Sequence, residues 1–364
     1  MTISAFPLTR RALVGASVAL GACPSALLAR TSGGLIAGTY VNEGGPGLVP
    51  LTRGAEGWQL GTPVAAIRNA SFGIRSATTG MWYLLDEQTQ GTVGVYTAGL
   101  AKLGTASTLG ADPCHAALSA DGRHLAVANY SSGSVALFDL DRTGRPVGEA
   151  RRIQHEGSGP NRERQAGPHA HWVGFTGTNT LHSVDLGADT VFLHRLGAGG
   201  AVDTSIAYRT EAGAGPRHLA RHPRLQITYL VTELANTVTV LRALPDGRFT
   251  ALATLSTLPK GFTGASAAAH IAVNAAGTRL YISNRGHDSI AVFAIQRDGG
   301  LIPLQHAGCG GHWPRLFLLR EGEREMLVAN ERSGNIARLA IGTDGTLGTA
   351  ARGVALPGVV FLAA

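Results

Sequence analysis

Apolar and polar residues alternate along most of this chain in short runs, the period of half-buried strands rather than of helices. The clearest runs come in pairs. Leu125-Ala-Val-Ala-Asn129 precedes Ser134-Val-Ala-Leu-Phe138, Leu280-Tyr-Ile-Ser-Asn284 precedes Ser289-Ile-Ala-Val-Phe293, and Leu327-Val-Ala-Asn330 precedes Asn335-Ile-Ala-Arg-Leu339. Weaker copies surround Asp86, Asp185 and Thr232, and a degenerate one surrounds Asn42, which makes seven.

The residue ending the first strand of each copy falls at 42, 86, 129, 185, 232, 284 and 330, at intervals of 43 to 56 residues. A period near this length with several short strands per unit is that of a propeller blade. Turn signals separate the strands, among them Asp121-Gly122, Asp246-Gly247, Ala276-Gly277, Asp298-Gly299-Gly300 and Asp344-Gly345. Fourteen residues before six of the aligned positions stand Phe72, His115, His171, His218, His270 and Leu316, so one hairpin per blade keeps a fixed length. Prolines 113, 216 and 314 mark the start of its first strand, where a missing N–H is tolerated. Leu356-Pro-Gly-Val-Val-Phe361 reads as a last strand completing the N-terminal blade and closing the ring. The expected fold is therefore all-β: a seven-bladed β-propeller closed by the C-terminal strand, occupying residues 31–364 as a single domain.

Composition supports this reading. Glycine supplies 50 of 364 residues without a three-residue period, which disfavours helical and collagenous folds, and 15% charged against 44% hydrophobic residues disfavours disorder. The net charge of +7 includes Arg10, Arg11 and Arg30 in an N-terminal stretch without acids; the remainder carries 28 basic against 24 acidic residues, or +4. No basic run is interleaved with aromatics, so no nucleic acid partner is expected. Residues 1–30 read as an export signal: Thr9-Arg10-Arg11-Ala12-Leu13-Val14 resembles the start of a twin-arginine signal and leads into an apolar stretch too short to span a membrane. Leu20-Gly21-Ala22-Cys23 resembles a lipobox, with Cys23 as a lipid-anchor candidate. The expected location is the periplasm. Beyond this segment only Cys114 and Cys309 remain, in separate blades, and they are expected to be unpaired thiols.

Hairpin arithmetic brings Arg217 opposite Glu233 at the open end of one blade, with His169, His171 and Asp185 at the same end of another. Arg285 takes the repeat position of Glu233 one blade on, and Glu87 and Glu331 join the same mouth. His169 and His171 share a strand face and are candidates for chemistry. His115, His218 and His270 fit a structural role, tying strands to loops, although His218 also adjoins Arg217 and is a substrate-contact candidate. The Asn and Asp residues that recur at the aligned positions read as backbone ties.

Several segments together resemble the propeller-type 6-phosphogluconolactonases, related to fungal 3-carboxy-muconate lactonizing enzymes. They are Gly159-Pro-Asn-Arg-Glu-Arg-Gln165, Pro168-His-Ala-His171, Asp185-Leu-Gly-Ala-Asp189, Gly215-Pro-Arg-His218, Thr232-Glu-Leu234, Phe262-Thr-Gly264 and Ser283-Asn-Arg-Gly-His-Asp-Ser289. The resemblance implies a seven-bladed propeller and a site made from His169 or His171 with Arg217, Glu233 and Arg285. A histidine or Glu233 would be the general base, and an arginine would hold the oxyanion or an anionic substituent. Asn161, Arg164 and Gln165, in the insertion that lengthens one interval, together with His218 and His287, are expected to contact substrate. No metal site and no cofactor are expected. The implied activity is hydrolysis of a sugar lactone, of the 6-phosphogluconolactone or gluconolactone type, to the aldonic acid. An exported member is expected to meet gluconolactone or another unphosphorylated aldonolactone. A muconate-type cycloisomerase and a non-catalytic envelope propeller are the alternatives.

Overall fold

The computed structural model describes residues 34–364 apart from Glu56 and Ala65, so the expected export signal and the lipid-anchor candidate Cys23 lie outside the described residues. Seven four-stranded antiparallel sheets follow one another around a ring. Apart from three short 3-10 turns, the regular structure described is all strand. Blade 2 comprises Gly73–Arg75, Trp82–Asp86, Thr92–Tyr96 and Lys102–Ser107, and blade 3 Pro113–Leu118, His124–Asn129, Ser134–Leu140 and Pro146–Gln154. Blade 4 runs from Ala170–Phe175 to Val202–Arg209, blade 5 from Pro216–Arg221 to Phe249–Ser256, blade 6 from Ala267–Val273 to Leu301–Gly308, and blade 7 from Pro314–Arg320 to Ala351–Ala355. Blade 1 takes its innermost strand, Val359–Ala363, from the C-terminus and its others, Leu35–Thr39, Leu48–Gly54 and Gly57–Leu60, from the start. The expected closure is thus present.

The middle strands of the blades are buried along nearly their whole length and carry apolar residues on both sheet faces, so the core forms as layers between neighbouring blades. Tyr83, Val93, Val95, Leu125, Val127 and Phe138 join blades 2 and 3, and Tyr229, Val231, Val240, Leu280, Ile282 and Phe293 join blades 5 and 6. Hairpin turns reinforce the layers. The hydroxyl of Tyr229 donates to Gly299 O at 2.9 Å, that of Tyr281 to Gly345 O at 2.7 Å, and that of Tyr83 to Gly144 O at 2.5 Å, each reaching a turn of the next blade. Asn129, Asn284 and Asn330 donate to the carbonyls of Thr108, Thr257 and Cys309, the backbone ties that their recurrence predicted. Cys114 and Cys309 are buried free thiols.

The register differs from the expected one in two places. The first blade ends its second strand at Thr39, with Asn42 beyond it in the 3-10 turn Val41–Glu43, so the repeat position belongs three residues earlier than the degenerate copy suggested. The innermost strands also carry bulges. Pairing passes from Pro113↔Asn129 to His115↔Ala128, from Ala170↔Asp185 to Trp172↔Val184, from Pro216↔Thr232 to His218↔Val231, and from Pro314↔Asn330 to Leu316↔Ala329. Cys114, His171, Arg217 and Arg315 are therefore the extra residues, and Trp172 rather than His171 is the equivalent of His115 and His218. The hairpin of blade 4 is one residue shorter, which the constant offset concealed.

Candidate active site

A bulge leaves its extra residue out of the ladder and re-aims its side chain. Here the extra residues turn toward the mouth of the central channel. A second set comes from the end of the second strand in six blades, Arg285 as its last residue and Tyr40, Glu87, Tyr130, Glu233 and Glu331 just beyond it. Members of both sets enclose a polar cavity of about 400 Å³ lined by Tyr40, Glu87, Cys114, Tyr130, His171, Glu233, Arg285 and Arg315, with Arg164 at its wall and Glu43 and Asp112 also facing it. Gly286, immediately after Arg285, has φ +89°, and a Cβ there would lie 2.4 Å from Ala265 O, so only glycine lets the chain turn away here.

Two charged clusters occupy the cavity. In the first, Glu233 is the hub. Its Oε2 accepts from Arg217 Nε at 3.1 Å and pairs with Arg285 Nη2 at 2.7 Å, while its Oε1 accepts from Arg164 Nη2 at 2.7 Å. Arg217 and Arg285 are held in place by the carbonyls of Ala269 and Ala268, and Arg164 also donates to Tyr130 Oη at 3.0 Å. Burial alone would raise the Glu233 carboxyl, but Arg285, Arg217 and Arg164 together hold it well below the usual carboxylate range. Burial, with Arg285 beside it, lowers the Arg217 guanidinium to about 9, still charged at neutral pH.

In the second cluster Arg315 Nη2 donates to Tyr40 Oη at 2.7 Å, and Tyr40 donates to Glu87 Oε2 at 2.9 Å. Arg315 Nη1 also stands 3.5 Å from Glu331 Oε2. Burial raises the Glu87 carboxyl pKa above its ordinary value, opposed by Arg315 and by hydrogen bonds from Ser71 and Tyr40. Blades 5 and 7 thus present the same device, a bulged Pro-Arg whose guanidinium meets an acid of its own blade.

His171 sits between the clusters, its Nδ1 3.8 Å from Cys114 Sγ and its ring edge-on to Tyr130. Burial and Arg217 push its pKa well below the ordinary histidine value, so it is neutral. Beneath it, His115, His218 and His270 pack ring against ring, His218 lying 5.3 Å from His115, 5.2 Å from His171 and 5.7 Å from His270 between ring centroids. These histidines fill the channel below the cavity instead of tying strands to loops. Burial depresses all three.

The structure therefore brings together Arg164, His171, Glu233 and Arg285 at the cavity, with Arg217 buried behind the lining as a partner of Glu233. It does not bring the other expected residues into the cavity. His169 stacks behind Tyr130 at 4.6 Å and is hydrogen-bonded to Tyr130 O. Gln165 is fully buried and donates to Leu186 O, anchoring the loop from which Arg164 projects, and Asn161 caps a turn of that loop through the N–H groups of Glu163 and Arg164. His218 lies in the channel, its ring against Arg217 Nη1. His287 bonds Ser289 Oγ and packs edge-on against Phe262, away from the lining. Tyr40, Asn69, Tyr130 and Arg315 are lining residues that sequence reasoning missed. Among the described residues no group of three or more His, Cys, Asp and Glu side chains is placed to hold a metal ion.

Fold and cavity together define a seven-bladed propeller with an arginine-rich polar pocket at one mouth of its channel. Residues 34–363 match the family described as "Lactonase, 7-bladed beta-propeller", and the chain belongs to that family. It is 34% identical over 313 residues to the 6-phosphogluconolactonase of Bacillus subtilis strain 168, covering 82% of this chain and 88% of that one. Among solved structures it resembles the periplasmic gluconolactonase of Pseudomonas aeruginosa, with a TM-score of 0.84 and 28% identity over 91% of this chain and 98% of that one. A protein from Lactobacillus plantarum matches with a TM-score of 0.83 and 29% identity over 90% and 98% of the two chains.

Proposed function

We propose that this cavity hydrolyses a sugar lactone to its aldonic acid. The observation that carries the reading is the set of three guanidinium groups gathered on one ionised carboxylate. Lactone opening passes through a tetrahedral oxyanion, and fixed cationic donors in a partly dehydrated pocket stabilise such a charge by several kcal/mol, roughly 3 to 4 per donor. Each guanidinium carries five N–H donors, more than Glu233 absorbs, so the cluster has capacity for a carbonyl oxygen and neighbouring sugar hydroxyls. In this assignment Glu233 holds the arginines in register and is not the proton acceptor, because both of its oxygens are engaged and its basicity is suppressed. His171, neutral and adjacent, supplies a hydrogen bond to the bound sugar. The relatives named as 6-phosphogluconolactonase and gluconolactonase support the same reaction class.

Export to the periplasm by the twin-arginine route belongs to this proposal and rests on residues 9–23. A lactone panel containing glucono-δ-lactone and 6-phosphogluconolactone, followed by pH indicator with the spontaneous rate subtracted, tests the activity. Arg217→Ala is expected to lower kcat/KM by about a hundredfold or more. Equal rates with and without the native protein on every lactone would refute the reading.

A further inference from the structure

Lactone hydrolysis also needs a group that takes a proton from the attacking water, and the arginine-bound Glu233 is unsuited to it. We propose that Glu87 is the general base, oriented by Tyr40 and Asn69. This inference rests on the lactonase reading and adds a residue to it.

Glu87 occupies in blade 2 the repeat position that Glu233 holds in blade 5, yet its surroundings are opposite. Its carboxylate lines the cavity, is partly open to it, and receives no direct arginine pair. The neighbouring cation, Arg315, acts one atom further away, through the hydroxyl of Tyr40. Tyr40 and Ser71 are its hydroxyl partners and no guanidinium sits on either of its oxygens, whereas both oxygens of Glu233 are committed to arginines.

The position is also fixed. Glu87 N–H donates to Asn69 O and Asn69 Nδ2 donates to Glu87 O, both at 2.9 Å, while Asn69 Oδ1 accepts from the N–H of Val41, next to Tyr40, at 3.1 Å. Asn69 therefore ties base and orienting hydroxyl to one point. A base works best when its pKa approaches the working pH, and burial moves Glu87 in that direction while moving His171 away.

Glu87 takes a proton from water as the water oxygen bonds to the lactone carbonyl carbon, and the carbonyl π pair moves onto the oxygen facing the arginines. Collapse re-forms the carbonyl and breaks the ring acyl C–O bond. The proton on Glu87 passes to the departing ring oxygen, which becomes a hydroxyl, and the new carboxylic acid ionises into solvent.

The test is the pH dependence of kcat/KM below pH 7 for native protein, Glu87→Gln, Tyr40→Phe and His171→Gln on the best lactone of the panel. Glu87→Gln is expected to lose about a hundredfold or more in kcat with KM within a few fold, and to lose the acid limb of the profile. Tyr40→Phe removes a hydrogen bond that lowers the Glu87 pKa, so its acid limb should move to higher pH, a change that a purely structural role would not produce. His171→Gln should keep the limb. A folded Glu87→Gln with native kcat, a Tyr40→Phe limb that stays in place, or a limb that disappears with His171 instead would overturn the assignment. Failure of the native protein to accelerate any lactone would overturn the lactonase reading instead.

Discussion

At the scale of single residues, the two glutamates of the cavity have opposite energetics despite their shared place in the repeat. Glu233 has a depressed folded pKa, so its stabilisation is complete above the unfolded carboxylate pKa near 4.3 and is lost only as pH falls toward the folded value. Removing its charge at neutral pH leaves three crowded cations, two of them buried, without their counter-ion. Glu233→Gln should cost about 3 to 5 kcal/mol in denaturant unfolding at pH 7, together with most of the activity. Glu87 has a raised folded pKa and so penalises the folded state above that pKa. Glu87→Gln should therefore unfold at a higher temperature than native protein at pH 7, while at pH 3, where the native carboxyl is protonated in both states, the two should match. A lower melting point at pH 7 would contradict the raised pKa. Arg217, Glu233, Arg285 and His171 were legible in the sequence because motif and hairpin arithmetic agreed on them. Arg315 carries the same Pro-Arg signal as Arg217, in Trp313-Pro314-Arg315, but was read only for its proline. Tyr40 was hidden because the degenerate first copy was aligned on Asn42, three residues late.

At the scale of strands and turns, the bulge explains why the arithmetic nearly succeeded. Index sums assume a regular ladder, and a single extra residue displaces Arg217 from the position opposite Glu233 while turning its side chain to the Glu233 carboxylate behind the cavity lining. It also explains His171, which no constant offset could distinguish from its apparent equivalents. The histidines beneath the bulges carry a consequence for stability. Their folded pKa values lie below the unfolded value near 6.5, so as pH falls through 6.5 the unfolded chain takes up protons that the folded channel refuses, and stability declines. Each such group contributes a slope approaching about 1.4 kcal/mol per pH unit. Urea unfolding at pH 7.5 and 5.5 should show a marked loss for native protein and a smaller one for His218→Gln; identical slopes would remove His218 from this account. Between blades, Tyr229→Phe deletes only the hydroxyl that reaches Gly299 O, and should cost about 1 kcal/mol without altering activity. The tyrosines three residues before the aligned positions were plainly alternating strand residues in the sequence. That they bond to a glycine carbonyl in a turn of the next blade was not, because the contact spans some 60 to 70 residues of chain.

At the scale of the whole molecule, the cavity exists only if the ring is closed, since it draws residues from blade 1 at Tyr40 and from blade 7 at Arg315. Closure depends on the strand Val359–Ala363, which pairs with Leu35–Thr39 as the inner strand of blade 1. This part of the fold was readable from sequence: the first copy lacked a preceding strand and the last copy was followed by a spare one. Val359, Val360, Phe361 and Leu362 are almost wholly buried and pack against residues of blades 1, 2 and 7. Burial of each such side chain is worth roughly 1.5 to 3 kcal/mol, so their sum rivals the roughly 5 to 15 kcal/mol net stability of a typical domain. Removing the strand also uncovers the edge of Leu35–Thr39, a template for pairing with other chains. A chain ending at residue 356 is thus expected to aggregate or to melt far below the intact protein, and to be inactive on lactones. Adding a synthetic peptide spanning residues 357–364 during refolding should restore a monodisperse, thermally cooperative species, because the missing strand contributes pairing and burial rather than a catalytic group. A truncated chain with native melting temperature and activity would show that the ring is held by blade packing alone and that the C-terminal strand is dispensable.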